Sequence, residues 1–134
     1  MKPRQSAKYI ALAVGLAVLC GCGNRTVPIT NFDNQPWPVA AQRLTFGELT
    51  QRVERSASTA GWKLSEIAPG QLQAVLTEHR HIITVRITFN ESAYSIDFVS
   101  SVNMDQENGK IHRKYVEWVE LLEAAMTSGV GGTA

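Results

Sequence analysis

Apolar side chains recur at intervals of three or four residues in two segments of the chain, which is the spacing of one face of an α-helix. The first predicted helix covers residues 44–60. Thr45 and Glu48 have the spacing of an N-terminal capping box, and Gly61 is a natural residue at a helix C-terminus. The apolar face of this helix consists of Phe46, Leu49, Val53, Ala57 and Ala60.

Between the two helical segments the pattern changes to an alternation of apolar and polar residues, which is typical of strands with one buried face. Four strands are predicted, over residues 62–68, 71–77, 82–90 and 94–99. An antiparallel register that places Phe89 opposite Tyr94 also places Arg86 opposite Asp97. That register pairs opposite charges on the polar face, so the apolar and charged positions support the same alignment.

The second predicted helix starts at Ile111 and ends before Gly129. The order of elements is then α-β-β-β-β-α. This order predicts an α+β, two-layer sandwich in which a four-stranded antiparallel meander sheet carries both helices on one face. The other face of the sheet is expected to be polar and uncovered, with Arg80, Thr84, Arg86, Thr88, Ser95 and Asp97. The predicted domain covers residues 44–128, and residues 129–134 are expected to form a disordered tail.

The first 21 residues differ from the remainder and predict an export signal. Lys2, Arg4 and Lys8 give a positive start, and an apolar run of about 11 residues follows at 9–19. This run is much shorter than the ~20 residues that a membrane-spanning helix needs. A secretory signal peptide is therefore favoured over a permanent transmembrane anchor.

The end of this segment, Leu19-Cys20-Gly21-Cys22, resembles the lipobox of bacterial lipoproteins. The resemblance implies cleavage after Gly21, a diacylglycerol on the Cys22 sulfur and a further acyl chain, such as palmitate, on the new amino terminus. Two or more chains anchor a protein stably in a membrane. An ordinary secretory signal is the alternative. No Asp follows the cysteine, which favours the outer membrane, periplasmic face, over inner-membrane retention, and surface exposure is a further alternative.

Residues 22–43 are predicted to be the lipidated cysteine and a tether, because Pro28, Pro36 and Pro38 oppose regular structure. Phe32 and Trp37 are too apolar for a fully solvated linker. The second half is therefore either an extended strap along the domain or a flexible spacer.

The balance of charged residues changes when the chain is divided at Cys22. The full 134 residues carry 13 Lys and Arg against 12 Asp and Glu. Without the three basic residues of the signal, ten basic residues remain against twelve acidic ones, so the mature part is mildly acidic. A strongly basic nucleic-acid binder is excluded, and no nucleic-acid partner is expected. Because Cys20 leaves with the signal and Cys22 is acylated, no disulfide is expected.

Three histidines are the candidates for a metal site. His79 and His81 are two residues apart, which on one strand would point both side chains in the same direction, and His112 offers a third imidazole. Alternatively, the segment is a hairpin tip with solvated side chains. Neither a carboxylate nor a thiolate is linked to these histidines by spacing, so no metal cofactor is predicted.

A hydrolase site around Ser101, Asn103 and His112 is a weaker alternative, because the sequence lacks a nucleophile elbow and ordinary turn chemistry explains these residues. No catalytic residue is predicted. The residues expected to bind a partner are Arg80, His81, Arg86, Asp97, Ser101 and Asn103.

Several motifs of the sequence, which include some of these residues, resemble those of a known protein family. The sequence resembles an uncharacterised family of small proteobacterial periplasmic lipoproteins in Arg80-His81, Tyr94-Ser-Ile, Ser101-Val-Asn-Met104 and Ile111-His-Arg-Lys-Tyr115-Val-Glu-Trp118. The resemblance implies the helix, sheet, helix order and an envelope location, without an established reaction. We therefore expect a membrane-anchored, non-enzymatic module that binds an envelope protein or a cell-wall component. Its cofactors are expected to be none beyond the covalent lipid on Cys22.

Overall fold

A computed structural model describes residues 25–132 of the chain. The predicted signal peptide and the lipidation of Cys22 lie outside these residues. The described elements, in chain order, are β1 (Thr26–Pro28), β2 (Phe32–Pro36), a short 3-10 helix (Val39–Arg43), α1 (Phe46–Thr59), β3 (Lys63–Ala68), β4 (Gln71–Glu78), β5 (His81–Phe89), β6 (Ala93–Val102), β7 (Lys110–His112) and α2 (Lys114–Gly132).

The main sheet has five antiparallel strands in the order β2-β6-β5-β4-β3, and β1 pairs with β7 in a separate two-stranded sheet. The predicted α+β class is confirmed, but the predicted number of four strands is wrong. The additional strand, β2, comes from the segment predicted to be a tether. Its proline, Pro36, is tolerated because an edge strand needs only one row of backbone hydrogen bonds.

Trp37 fixes the end of this strand to the core. Its side chain is 2% exposed, and its ring centroid lies 4.6 Å from that of Tyr94. The indole N–H donates to the carbonyl of Asn90 at 2.8 Å, and the backbone N–H donates to the carbonyl of Ser92 at 3.1 Å. Of the two alternatives for this segment, the extended strap is the one observed. The domain therefore begins at β1, ahead of the predicted boundary at residue 44.

The α1 helix has the predicted capping box. The Thr45 hydroxyl accepts from the backbone N–H of Glu48 at 3.1 Å, and the Glu48 carboxylate accepts from the backbone N–H of Thr45 at 2.9 Å. This backbone hydrogen bond from Thr45 lowers the pKa of the Glu48 carboxyl below its usual range. The two reciprocal bonds satisfy backbone donors that the first helical turn leaves unpaired.

The predicted register of the central hairpin is confirmed, because Phe89 pairs with Tyr94 and Arg86 pairs with Asp97. The buried side chains of β4, β5 and β6 alternate with exposed or half-buried ones. They belong to the same hydrophobic cluster as the buried positions of both helices: Leu49, Val53 and Ala57 of α1 and Tyr115, Val119, Leu122 and Met126 of α2. The core therefore lies on one face of the sheet.

The bounds of α2 differ from the prediction at both ends. Ile111 belongs to β7, and the helix begins at Lys114. Ile111 is fully buried in the same core as Tyr115, four residues later. Its spacing from Tyr115 therefore matches that of a helix although it belongs to a strand. The helix extends to Gly132, past Gly129, where the prediction ends it and begins a disordered tail. An interior glycine costs a helix only about 1 kcal/mol and does not by itself end it.

Two tyrosines are buried in different chemical environments. The Tyr94 hydroxyl donates to the carboxylate of Glu123, whereas the Tyr115 hydroxyl is buried and has no hydrogen-bond partner among the described residues. Burial raises the pKa of Tyr94 well above its usual value, and its bond to Glu123 raises it further. Burial also raises the pKa of Tyr115, and the charge of Asp97 adds to this effect.

The same substitution at these two tyrosines should have opposite effects. We expect Tyr94→Phe to lower the free energy of unfolding by about 2 kcal/mol, because it removes a hydrogen bond to a charged group. Tyr115→Phe should raise it by about 1 kcal/mol, because it removes a buried hydroxyl without a partner. Urea unfolding at pH 7 measures both values. A loss of stability in both variants would contradict the assignment of Tyr115.

The raised pKa values also predict an alkaline transition. The folded state retains tyrosine protons that the unfolded chain releases above about pH 10. The stability that depends on these protons is therefore complete below that pH, and it is lost as the pH rises through the pKa values of the folded state. Each Phe variant should lose stability less steeply than the parent between pH 10 and 12.

Candidate functional site

The predicted binding residues fall in two places, and the first is one end of the sheet, at the turn between β4 and β5. Glu78 pairs with His81, so His79 and Arg80 form a two-residue hairpin turn. His79 has a φ of 57°, the left-handed conformation that such turns require at their first position. His79 and His81 therefore do not share one strand, and of the two alternatives for this segment the hairpin tip is the one observed. His79 and Arg80 are exposed at the hairpin tip.

Asn103, just after β6, joins this turn to the loop before β7. Its side-chain amide donates to the carbonyl of Arg80 at 2.9 Å. Its own carbonyl lies 2.7 Å from Nδ1 of His81. A carbonyl can only accept, so His81 carries a proton on Nδ1, and its neutral ring keeps the lone pair on Nε2. Asn103 thus fixes both the turn and the tautomer of His81.

His112 lies beside His81, with 6.1 Å between the ring centroids. Nδ1 of His112 accepts from the backbone N–H of Lys114 at 3.1 Å, at the first residue of α2. The proton of the neutral His112 ring is therefore on Nε2, opposite to the arrangement in His81. His81 has a second aromatic neighbour. The half-buried Trp118 ring has its centroid 6.1 Å from that of His81.

These tautomers bear on metal binding. Nε2 of His81 is free to act as a ligand, but Nε2 of His112 becomes one only if the ring proton moves to Nδ1 and the bond to the helix is lost. His79 lies in the turn rather than on the strand. No group of three or more His, Cys, Asp or Glu residues within the described part of the chain is placed to hold a metal ion.

Ser101, which belongs to the hydrolase alternative, is hydrogen-bonded to a residue of the following loop. Its hydroxyl donates to the side-chain oxygen of Gln106 at 2.9 Å. An amide oxygen is not a general base, so this hydrogen bond holds the loop after β6 and does not activate the serine. Asn103 and Ser101 both serve to order the loop between β6 and β7.

The second place is the middle of the sheet face opposite the hydrophobic core, which we call the helix-free face. Arg86 and Asp97 lie directly opposite each other on β5 and β6. Arg86 is five residues from His81 along β5, which is about 16 Å. The same register places Gln73 of β4 opposite Arg86, and Ser65 of β3 opposite Gln73. A continuous row of four polar side chains therefore crosses four strands of the sheet.

Three residues of these two places, Trp118, Gln106 and Gln73, were not predicted from the sequence. Trp118 has the spacing of a core residue, and its contact with His81 depends on residues 37 positions apart along the chain. The alternation in β4 places Gln73 on the polar face, so this position was within reach of the pattern. Gln106 carries no comparable signal.

Comparison of the chain with protein-family models, with curated proteins and with solved structures finds no match. Within residues 25–132, neither helix is long and apolar enough to cross a bilayer.

Proposed function

We propose that this protein is a membrane-anchored lipoprotein of the periplasm, held in the outer membrane by acyl chains on Cys22. Its folded part acts as a non-enzymatic binding module of the cell envelope, in keeping with the lipoprotein family that its sequence resembles. The partner is an envelope protein or a cell-wall component, and the bound surface is the helix-free face of the sheet.

The observation that carries this proposal is the polar row Ser65-Gln73-Arg86-Asp97. Flanking positions on the same face carry further hydroxyl groups, namely Thr84, Thr88, Ser95 and Ser100. This face presents hydrogen-bond donors and acceptors together with the charged groups of Arg86, Asp97 and Lys63, on a rigid antiparallel sheet. Such a surface suits a polar chain with hydroxyl, amide and charged groups, such as a peptide or the cell-wall polymer.

A non-catalytic role is supported by the hydrogen bonds of the residues that the weaker hydrolase alternative would need. The Ser101 hydroxyl and the Asn103 amide form hydrogen bonds that hold loops, and His112 holds the start of α2. These bonds organise the fold around the sheet and leave the polar row to make the contact with the partner.

The anchor is tested on protein extracted from membranes. Mass spectrometry should find a mature amino terminus at an acylated Cys22, and Cys22→Ala should abolish both the acylation and this mature terminus. An unacylated terminus at another residue would overturn the lipoprotein assignment.

The binding surface is tested in living cells with a photo-crosslinking amino acid at Gln73. A discrete adduct is expected from this position, and Arg86→Gln should reduce its yield several-fold. Arg55, which is exposed on α1, provides the matched control position. Equal adducts from positions 73 and 55, or no effect of Arg86→Gln, would count against the helix-free face as the binding surface.

A further inference from the structure

The chain enters the fold very soon after Cys22. Gly23 and Asn24 separate this cysteine from Arg25, whose carbonyl accepts from the backbone N–H of Arg113 at 3.0 Å. Three residues span at most about 11 Å, so the Cys22 Cα lies no farther than this from the Arg25 Cα. A lipid on Cys22 therefore holds the β1–β7 pair close to the membrane surface.

Basic side chains are concentrated at this end of the domain. They are Arg25 before β1, Lys110 in β7, Arg113 and Lys114 at the start of α2, and Arg80 at the hairpin tip. The hairpin tip belongs to this end because the ring of His81, next to Arg80, lies beside the ring of His112 in β7. These are half of the ten basic residues that remain after residue 22, and all three histidines lie here too.

Acidic residues at the same end offset part of this positive charge. Glu78, Asp105, Glu107 and Glu117 are the four, and Glu117 pairs with Lys114 at 3.5 Å. This end therefore has five basic residues against four acidic ones, whereas the remainder of the described chain has five against eight. The charge of the domain is therefore polarised, and the end with the positive balance is the one that contains Arg25, close to Cys22 along the chain.

We propose that this end of the domain docks on the anionic lipid headgroups of the membrane that holds Cys22. The proposal rests on the lipidation of Cys22 proposed above. The link of about 11 Å is comparable to the Debye length of about 8 Å at physiological ionic strength, so the charges nearest to Cys22, on Arg25 and Arg113, lie within the field of the surface. Headgroup phosphates attract the basic end and repel the acidic remainder, which orients the domain.

The orientation has a consequence for the polar row. The strands run away from the membrane, because β5 begins at His81 near the docked end and extends for nine residues. Arg86 lies about 16 Å along this strand, beyond the headgroups that the turn contacts. The helix-free face then points sideways into the periplasm and stays open to a partner.

The test uses the full acylated chain in vesicles of phosphatidylglycerol and phosphatidylethanolamine that carry a headgroup quencher. With Cys20 removed and Cys22 acylated, a single new cysteine is the one thiol to label. Val102→Cys marks the end of β6 near the docked turn, and Ser92→Cys marks the opposite end, about 30 Å away along β6. Both positions are exposed. Quenching at position 102 should exceed quenching at position 92 several-fold.

Two changes should reduce the difference in quenching between positions 102 and 92. One is 0.5 M salt, and the other is the double variant Arg25→Gln with Arg113→Gln. The control, Arg43→Gln with Arg55→Gln, removes the same charge from exposed sites elsewhere and should leave the difference unchanged. Circular dichroism verifies the fold of each variant, and the salt experiment tests the charge effect without any substitution.

The outcomes separate the two proposals. Equal quenching at both positions, in protein that still sediments with the vesicles, would overturn docking and leave the anchor intact. A difference that resists both salt and the double variant would overturn the role of the basic residues. Protein that does not sediment with the vesicles would overturn the anchor and docking together.

Discussion

Replacing Trp37 with alanine is expected to lower the free energy of unfolding by about 3–5 kcal/mol. The side chain is 2% exposed and packs on Tyr94, and its indole N–H donates to the carbonyl of Asn90. The substitution removes a large buried side chain and leaves a carbonyl without its donor. For a domain of about 100 residues this loss is a large fraction of the total stability.

The comparison that makes this result specific is Val39→Ala, two residues along the chain. Val39 is 72% exposed, so its truncation should change stability by less than about 0.5 kcal/mol. Trp37→Phe separates the two contributions, because phenylalanine retains most of the packing and removes only the hydrogen bond. Urea unfolding followed by circular dichroism measures all three variants. Equally small losses for Trp37→Ala and Val39→Ala would mean that this segment is a spacer after all.

Trp37 also illustrates where prediction from sequence ends. The segment Phe32–Pro36 has no alternation of apolar and polar residues, and it contains a proline, so no local pattern indicates a strand. Its pairing with β6 depends on contacts more than 60 residues away along the chain, such as the bond from the backbone of Asn34 to the Ser95 hydroxyl. In β5 and β6, by contrast, two independent patterns, apolar and charged, specified the same register.

The candidate site was predictable to a smaller extent. The alternation placed Arg86 and Asp97 opposite each other, and the polar row extends this observation to β3 and β4. The environment of His81 was not predictable, because it depends on Asn103, 22 residues away, and on His112. The turn at His79 and Arg80 also lacks the Asn-Gly or Asp-Gly signal that marks most two-residue hairpins. Sequence spacing alone therefore could not distinguish a shared strand from a turn.

Gly70→Ala is expected to destabilise the domain by about 3 kcal/mol, as the sum of backbone strain and a steric clash. Gly70 has a φ of +78°, and a Cβ at this position would lie 2.6 Å from the carbonyl oxygen of Phe89. Because the backbone N–H of Phe89 also donates to the carbonyl of Gly70 at 2.9 Å, β5 cannot move away without losing that bond.

Gly109→Ala provides the matched control for this substitution. Gly109 has nearly the same φ, +77°, and a Cβ there would have no heavy atom within 4 Å among the described neighbours. This variant should cost only the strain of the left-handed conformation, about 1 kcal/mol. Urea unfolding of the two variants therefore isolates the contact between the β3–β4 turn and β5. Equal losses would show that the turn yields to a methyl group, and the polar row that crosses these strands would then lack the rigid support on which its role in binding depends.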